Sequence, residues 1–176
     1  MINTVEFSKL SIQEMIKFII KTYHEPLKKL LPEIKIQLEK IKHFPEKFHL
    51  ENFWMIKELF EQFESELSTH ILREENKFYA EIIKLEKKEK VDKKIIEEFL
   101  DLQKTEHSEI DSYLYSLKKL IFELSTNNVW NIKKWNSEEW TFEELKKIFH
   151  TLYLELSECI YIENTILNLE IEELFW

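Results

Sequence analysis

Residues Trp54–Ile82 read WMIKELFEQFESELSTHILREENKFYAEI. Trp54, Ile56, Leu59, Phe60, Phe63, Leu67, Ile71, Phe78 and Ile82 recur at the spacing of one face of an α-helix. The pattern predicts a long helix from about Phe48 to Glu86. Within it, His70 and Glu74 stand four residues apart, so their side chains lie one above the other. Cys159 and Glu163 repeat that spacing near the other end of the chain. Two helices therefore offer stacked pairs of metal-type donors, and a helical bundle is the architecture in which such pairs meet.

Composition supports an all-α fold. The chain has 176 residues, no glycine and three prolines, which argues against many tight turns, while its Lys, Glu, Leu and Ile content favours helix. That length suits a single domain over residues 1–176. Against 34 acidic side chains stand 25 basic ones, interspersed rather than clustered, for a net charge of -9. Nucleic acid is therefore not an expected partner. No apolar run reaches the length of a membrane span, and the opening MINTVEFSKL lacks the basic and apolar regions of a signal peptide. The single cysteine, Cys159, excludes an internal disulfide and fits a reducing compartment, so the expectation is a soluble cytoplasmic protein.

Start and stop signals divide the chain into four helices. Ser11-Ile12-Gln13-Glu14 has the form of a capping box and starts a first helix running to about Lys42, with a kink or break expected near Pro26 or Pro32. His43-Phe44-Pro45-Glu46 reads as a short connection. The charged run Lys87-Lys88-Glu89-Lys90 ends the second helix as a solvated corner, and Asp92 caps a third that continues past His107 to about Leu124. Ser125 to Trp140, with Trp130, Trp135 and Trp140, is the longest non-helical candidate; it reads as loop aromatics packing on a bundle end or as an interaction surface. Thr141-Phe142-Glu143-Glu144 is a second capping box, opening a helix to about Glu172 or Glu173. Four long helices with mostly short connections predict an antiparallel up-down-up-down four-helix bundle.

Helical rise turns this connectivity into depth. His24 stands about 19 residues before His43 and His70 about 22 after Phe48, which makes them nearly level. From Val91, His70 lies about 21 residues back and His107 about 16 forward; His107 and Cys159 each lie about 18 residues from the ends of the third connection. His24, His70 with Glu74, His107, and Cys159 with Glu163 thus reach one central layer. His43 falls about 28 Å from it and His49 is also at that corner, while His150 is about 13 Å away along the axis.

The donor types suit a metal. Imidazoles bind iron, zinc or copper, and carboxylates bridge two cations while offsetting part of their charge. Burying Glu74 and Glu163 with no positive partner would be costly. The residue-level alternative is a bundle that binds no metal, in which each histidine is a hydrogen-bonded interior or surface residue. Cys159 has two readings of its own: a thiolate ligand, or a small packing residue beside an open position.

With these residues placed, the chain resembles the hemerythrin-like di-iron proteins of the RIC family, named for repair of iron centres. The similar stretches are YHEPLKKLLPE at Tyr23–Glu33, ELSTHILREE at Glu66–Glu75, TEHSE at Thr105–Glu109 and CIYIEN at Cys159–Asn164. They follow the family's order and spacing across about Ile19 to Leu167. The resemblance implies a hemerythrin-like bundle holding two non-haem iron ions. It implies histidine ligands at His24, His70 and His107 and bridging carboxylates at Glu74 and Glu163. His43 also matches a histidine common in the family.

The chain departs from the family in three respects. Cys159 stands where the family has its fourth iron-binding histidine. Only a short leader precedes the first helix, where typical members carry a separate domain with paired cysteines. The Leu-Phe-Pro sequence that commonly follows the carboxylate motifs is replaced by Lys77-Phe78-Tyr79 and Ile166-Leu167-Asn168. The activity implied is supply of iron to damaged iron–sulfur proteins under nitrosative or oxidative stress, or reaction with nitric oxide or oxygen. A non-catalytic oxygen- or nitric-oxide-binding module of hemerythrin type is the other function of this kind.

Overall fold

A computed structural model describes residues 7–41, 50–126 and 142–175. His43, His49, Trp130, Trp135, Trp140 and Thr141 lie outside the described residues. Within them the protein is all-helical, with no strand and four long helices. We label these α1 (residues 12–41), α2 (residues 50–86), α3 (Lys93–Thr126) and α4 (residues 142–175). Among the described residues no helix is long and apolar enough to cross a membrane.

Local chemistry sets the helix ends. The Ser11 hydroxyl accepts from the Glu14 backbone N–H while the Glu14 carboxylate accepts from the Ser11 N–H at 2.9 Å, completing the expected capping box. The next two free amides, on Ile12 and Gln13, donate to the Glu86 carboxylate at 2.8 and 3.1 Å. A negative side chain from the last turn of α2 therefore sits on the positive end of the α1 dipole. Asp92 caps α3 by accepting from the Lys94 N–H at 3.0 Å.

Three helices widen locally. Ile20–His24 in α1, Glu74–Phe78 in α2 and Glu163–Leu167 in α4 are π turns. Each is closed by a bond reaching five residues back: Glu25 to Ile20, Tyr79 to Glu74 and Asn168 to Glu163. In α1 the widened turn immediately precedes Pro26, which has no N–H to give to a regular turn. The helix continues through both Pro26 and Pro32, so the irregularity expected near them is this π turn and not a break.

Ile12–Ile19 packs on Tyr79–Glu86, while Glu25–Ile41 packs on Leu50–Arg73 and on Phe142–Ile162. Leu50–Arg73 in turn lies along α3. Apolar side chains fill both ends of this assembly. Phe60, Phe63, Leu117, Phe149 and Leu152 are buried toward one end, with the Phe60 and Phe149 rings edge to face at 5.8 Å. Ile12, Met15, Ile16, Ile19, Ile82 and Ile171 are buried toward the other. Each such side chain contributes about 1.5–3 kcal/mol by leaving water, so two apolar blocks carry the fold and confine a polar layer between them.

The Lys87–Lys90 corner is a turn with exposed lysines, as its charge predicts. Its hydrogen bonds, from Glu89 N–H to Lys84 C=O at 3.0 Å and from Lys88 N–H to Leu85 C=O at 2.9 Å, form a Schellman ending. Lys88 sits at its left-handed position with φ of 59°, where a side chain meets steric cost that glycine avoids. Lys88→Gly is expected to stabilise the protein by about 0.5–1 kcal/mol. Urea unfolding checks it, through a raised midpoint at unchanged slope.

Candidate metal centre

His24, His70, Glu74, His107, Cys159 and Glu163 are all buried, at 1–4% exposure, and all converge on the polar layer. They form two groups in which one donor atom from each residue lies within 4.8 Å of the others: His70, Glu74, His107 and Glu163, and His24, Cys159 and Glu163. Glu163 belongs to both groups. Its Oε1 lies 3.4 Å from His24 Nε2 and its Oε2 3.3 Å from His107 Nε2. Glu74 stands between the same histidines, with Oε2 at 3.5 Å from His24 Nε2 and 3.4 Å from His70 Nε2. His150, by contrast, is exposed and lines a groove with Lys118 and Tyr153, away from this layer.

All three imidazoles have the same orientation. Each turns Nε2 inward and holds Nδ1 against an outer acceptor: His24 on Glu75 at 3.0 Å, His70 on Glu106 at 2.9 Å and His107 on Asn164 Oδ1 at 2.9 Å. A carboxylate or amide oxygen only accepts, so Nδ1 carries a proton, and Nε2 faces inward, where it holds a second proton or offers a lone pair. The outer acids are themselves paired, Glu75 with Lys28 and Glu106 with Arg73. This outer shell fixes ring orientation and tautomer in the way histidine ligands of metals are fixed. His70 and His107 bring their Nε2 atoms to 3.1 Å. Two neutral lone pairs at that distance repel unless a proton or a cation lies between them.

Buried hydrogen bonds also hold the carboxylates. The Tyr79 hydroxyl donates to Glu163 Oε1 at 2.6 Å and also reaches Glu74 Oε2 at 3.3 Å, and its ring stacks on His24 with 6.0 Å between centroids. Gln103 Nε2 donates to Glu74 Oε1 at 2.5 Å, and Asn168 Nδ2 donates to Gln103 Oε1 at 2.9 Å. The π turns explain part of this assembly. A five-residue turn places Tyr79 over Glu74 and Asn168 over Glu163, which a regular helix would turn away from each other.

The electrostatics are those of a site where protons and cations compete. Burial pulls His24 down, but its bonds to Glu163 and Glu75 and the charges of Glu163 and Glu74 lift its pKa to about 9. Burial holds His70 below the usual histidine range, keeping it neutral. His107 is raised: burial opposes its charge, but Glu163 outweighs it. Glu74 is raised by burial and by the neighbouring Glu163 charge, whereas burial of Glu163 is outweighed by bonds from His107 and His24, which hold its carboxyl well below the usual range. The Cys159 thiol is pushed well up by burial and by Glu163 and Glu74, so it ionises only where positive charge is added beside it.

No protein-family model matches the chain, and neither a curated protein nor a solved structure shows significant similarity to it. The donor set fits a metal ion on its own chemistry. Three inward nitrogens, two shared carboxylates and a thiol meet between four helices, with each ring nitrogen that faces outward already paired. Reading the sequence identified these six residues but missed Tyr79, Gln103, Asn164, Asn168, Glu75 and Glu106. Gln103 was detectable as a polar residue on the apolar stripe Ile96, Leu100, Ile110 and Leu114, one turn before His107. Glu75 and Glu106 carry no signal that separates them from surface acids.

Two outcomes are expected. In chelator-treated protein the folded His24 pKa of about 9 exceeds its ordinary 6.5, so its contribution is full below 6.5 and is lost as pH rises through 9. Thermal midpoints should fall across that window, by on the order of 3 kcal/mol in stability, and His24→Gln should flatten the slope. If the Cys159 thiolate is a ligand, ferric-loaded protein should show a sulfur-to-iron charge-transfer band that Cys159→Ser abolishes, and Cys159→His should raise iron retention. Unchanged spectra and metal content in Cys159→Ser would assign the thiol to packing alone.

Proposed function

We propose that this protein is a single-domain, antiparallel up-down-up-down bundle of hemerythrin type. It holds two non-haem iron ions and serves iron–sulfur cluster repair in the nitrosative or oxidative stress response. The observation that carries the metal reading is the pair of buried donor groups joined through Glu163, with Glu74 Oε2 within 3.5 Å of the inward nitrogens of both His24 and His70. Nitrogen and carboxylate donors with a single thiol suit iron, and the resemblance of the sequence to the RIC proteins supplies the stress-response role.

In this reading His24 and Cys159 would hold one ion, His70 and His107 the other, and Glu163 and Glu74 would serve both. Bound iron would supply redox chemistry and affinity for small ligands such as oxygen and nitric oxide. The chain's own residues orient the donors and exclude water. Glu75, Glu106 and Asn164 hold the rings, Tyr79 holds the carboxylate oxygens that face His24, and Leu67, Ile71, Leu27 and Ile110 close the surroundings with apolar surface.

The near-complete burial of every donor favours a second reading as well, a module that binds or senses oxygen or nitric oxide without turnover. A closed site admits small diatomic molecules more readily than it releases iron to a partner protein. A reversible dioxygen spectrum without iron transfer would select this module over repair.

Anaerobic reconstitution followed by metal analysis tests the centre. Two iron ions per chain are expected for wild type, and Glu74→Ala/Glu163→Ala should lose most of both, because the oxygens shared between the ions are gone. Less than about half an ion per chain in wild type, or full loading of the double variant, would sink the di-nuclear site.

A further inference from the structure

The two shared carboxylates are held differently. Glu163 divides its oxygens, Oε1 toward His24 and Tyr79, Oε2 toward His107. Glu74 presents a single oxygen: Oε2 faces both His24 and His70, while Oε1 points away and receives the Gln103 amide at 2.5 Å. Gln103 is only 3% exposed, and its orientation is locked from behind, because Asn168 donates to its carbonyl and leaves the NH2 group facing Glu74. Glu163 Oε1 also accepts from a buried donor, Tyr79, but it faces His24 Nε2 at 3.4 Å as well, whereas Glu74 turns Oε2 to both histidines and gives Oε1 to the Gln103 amide. Reaching a cation with Oε1 would leave the buried Gln103 N–H groups without that acceptor, which is unfavourable.

We infer that Gln103 is a positioning residue that restricts Glu74 to one oxygen, so that Glu74 bridges the two ions through Oε2 alone while Glu163 bridges through both of its oxygens. This inference rests on the di-nuclear reading proposed above. A one-atom bridge holds two cations closer than a three-atom O–C–O bridge, so the amide pair Gln103–Asn168 sets the spacing between the ions from outside the donor set. Asn168 lies one widened turn beyond Glu163 and Gln103 one turn before His107, so the restraint is anchored on α3 and α4, which carry His107, Cys159 and Glu163.

The test uses the full chain loaded anaerobically with ferrous iron. Its readouts are metal content, X-ray absorption for the iron–iron distance, and a crystal structure of the loaded wild type. Gln103→Met keeps the length of the side chain and removes the donor. With two ions bound, it should lengthen the iron–iron distance by a few tenths of an ångström as Glu74 takes up a two-oxygen bridge, and Asn168→Leu should do the same more weakly. The loaded wild-type crystal should keep Glu74 Oε1 on Gln103 with no iron bound to it, a readout independent of whether either variant folds. Two ions with an unchanged distance in folded Gln103→Met, or Glu74 Oε1 bound to iron in wild type, would overturn the role of Gln103 and leave the centre standing. Wild type that takes up no iron would overturn both.

Discussion

Two carboxylates, Glu74 and Glu163, are buried side by side in the middle of the molecule, and everything around them answers the charge they bring. An isolated carboxylate in an interior is too costly to keep ionised, and two together repel. The chain supplies three imidazoles, a phenol and an amide at hydrogen-bond distance. The pair responds asymmetrically: the bonds from His107 and His24 keep Glu163 ionised, while burial and the Glu163 charge raise Glu74. This is a layer where positive charge is required, whether as protons on His24 and His107 or as cations drawing on the same atoms.

Helix geometry adjusts to that requirement. The three π turns all touch the layer: His24 ends one, and Glu74 and Glu163 begin the others. A regular helix presents to one face residues three and four apart, which is enough to stack His70 on Glu74 and Cys159 on Glu163. Bringing a further side chain from the same helix to the same point requires residues five apart, and the widened turn supplies this for Tyr79 and Asn168. Each π turn gives up regular hydrogen bonds, and the apolar blocks at both ends stabilise helices that contain them.

This division explains what was legible in the sequence. Helix number, capping at Ser11 and Asp92, the charged corner at Lys87–Lys90 and the level of the six donors all follow from periodicity and from rise per residue, which are local properties. Depth could be counted because the helices are long and continuous, so errors of a residue or two at their ends moved the layer little; α3 runs to Thr126 and α4 at least to Phe175, slightly beyond the expected ends. The π turns were not legible, because their phase shift looks like an ordinary irregularity in an apolar pattern. Without them Tyr79 and Asn168 appear to face elsewhere. Glu75, Glu106 and Asn164 sit next to buried residues but reach across to neighbouring helices, and such long-range pairing has no local sequence signal.

A buried polar network and a metal centre can share residue types, and orientation separates them. A network kept for structural specificity would satisfy each histidine at both nitrogens with distinct partners, since an unpaired buried atom is costly. Here the outer nitrogens are satisfied that way, one acceptor to each ring, but the three inner nitrogens crowd onto the same few oxygens and, for His70 and His107, onto each other. Protons alone serve such convergence poorly, because each proton pairs one donor with one acceptor while four donor side chains meet in one group and three in the other. A cation accepts several lone pairs at once and allows all of them to be used. The outer shell would then be maintained for aim: Lys28 pairs with Glu75 and Arg73 with Glu106, the acids keep the rings turned, and the rings keep their nitrogens directed at the oxygens of Glu74 and Glu163.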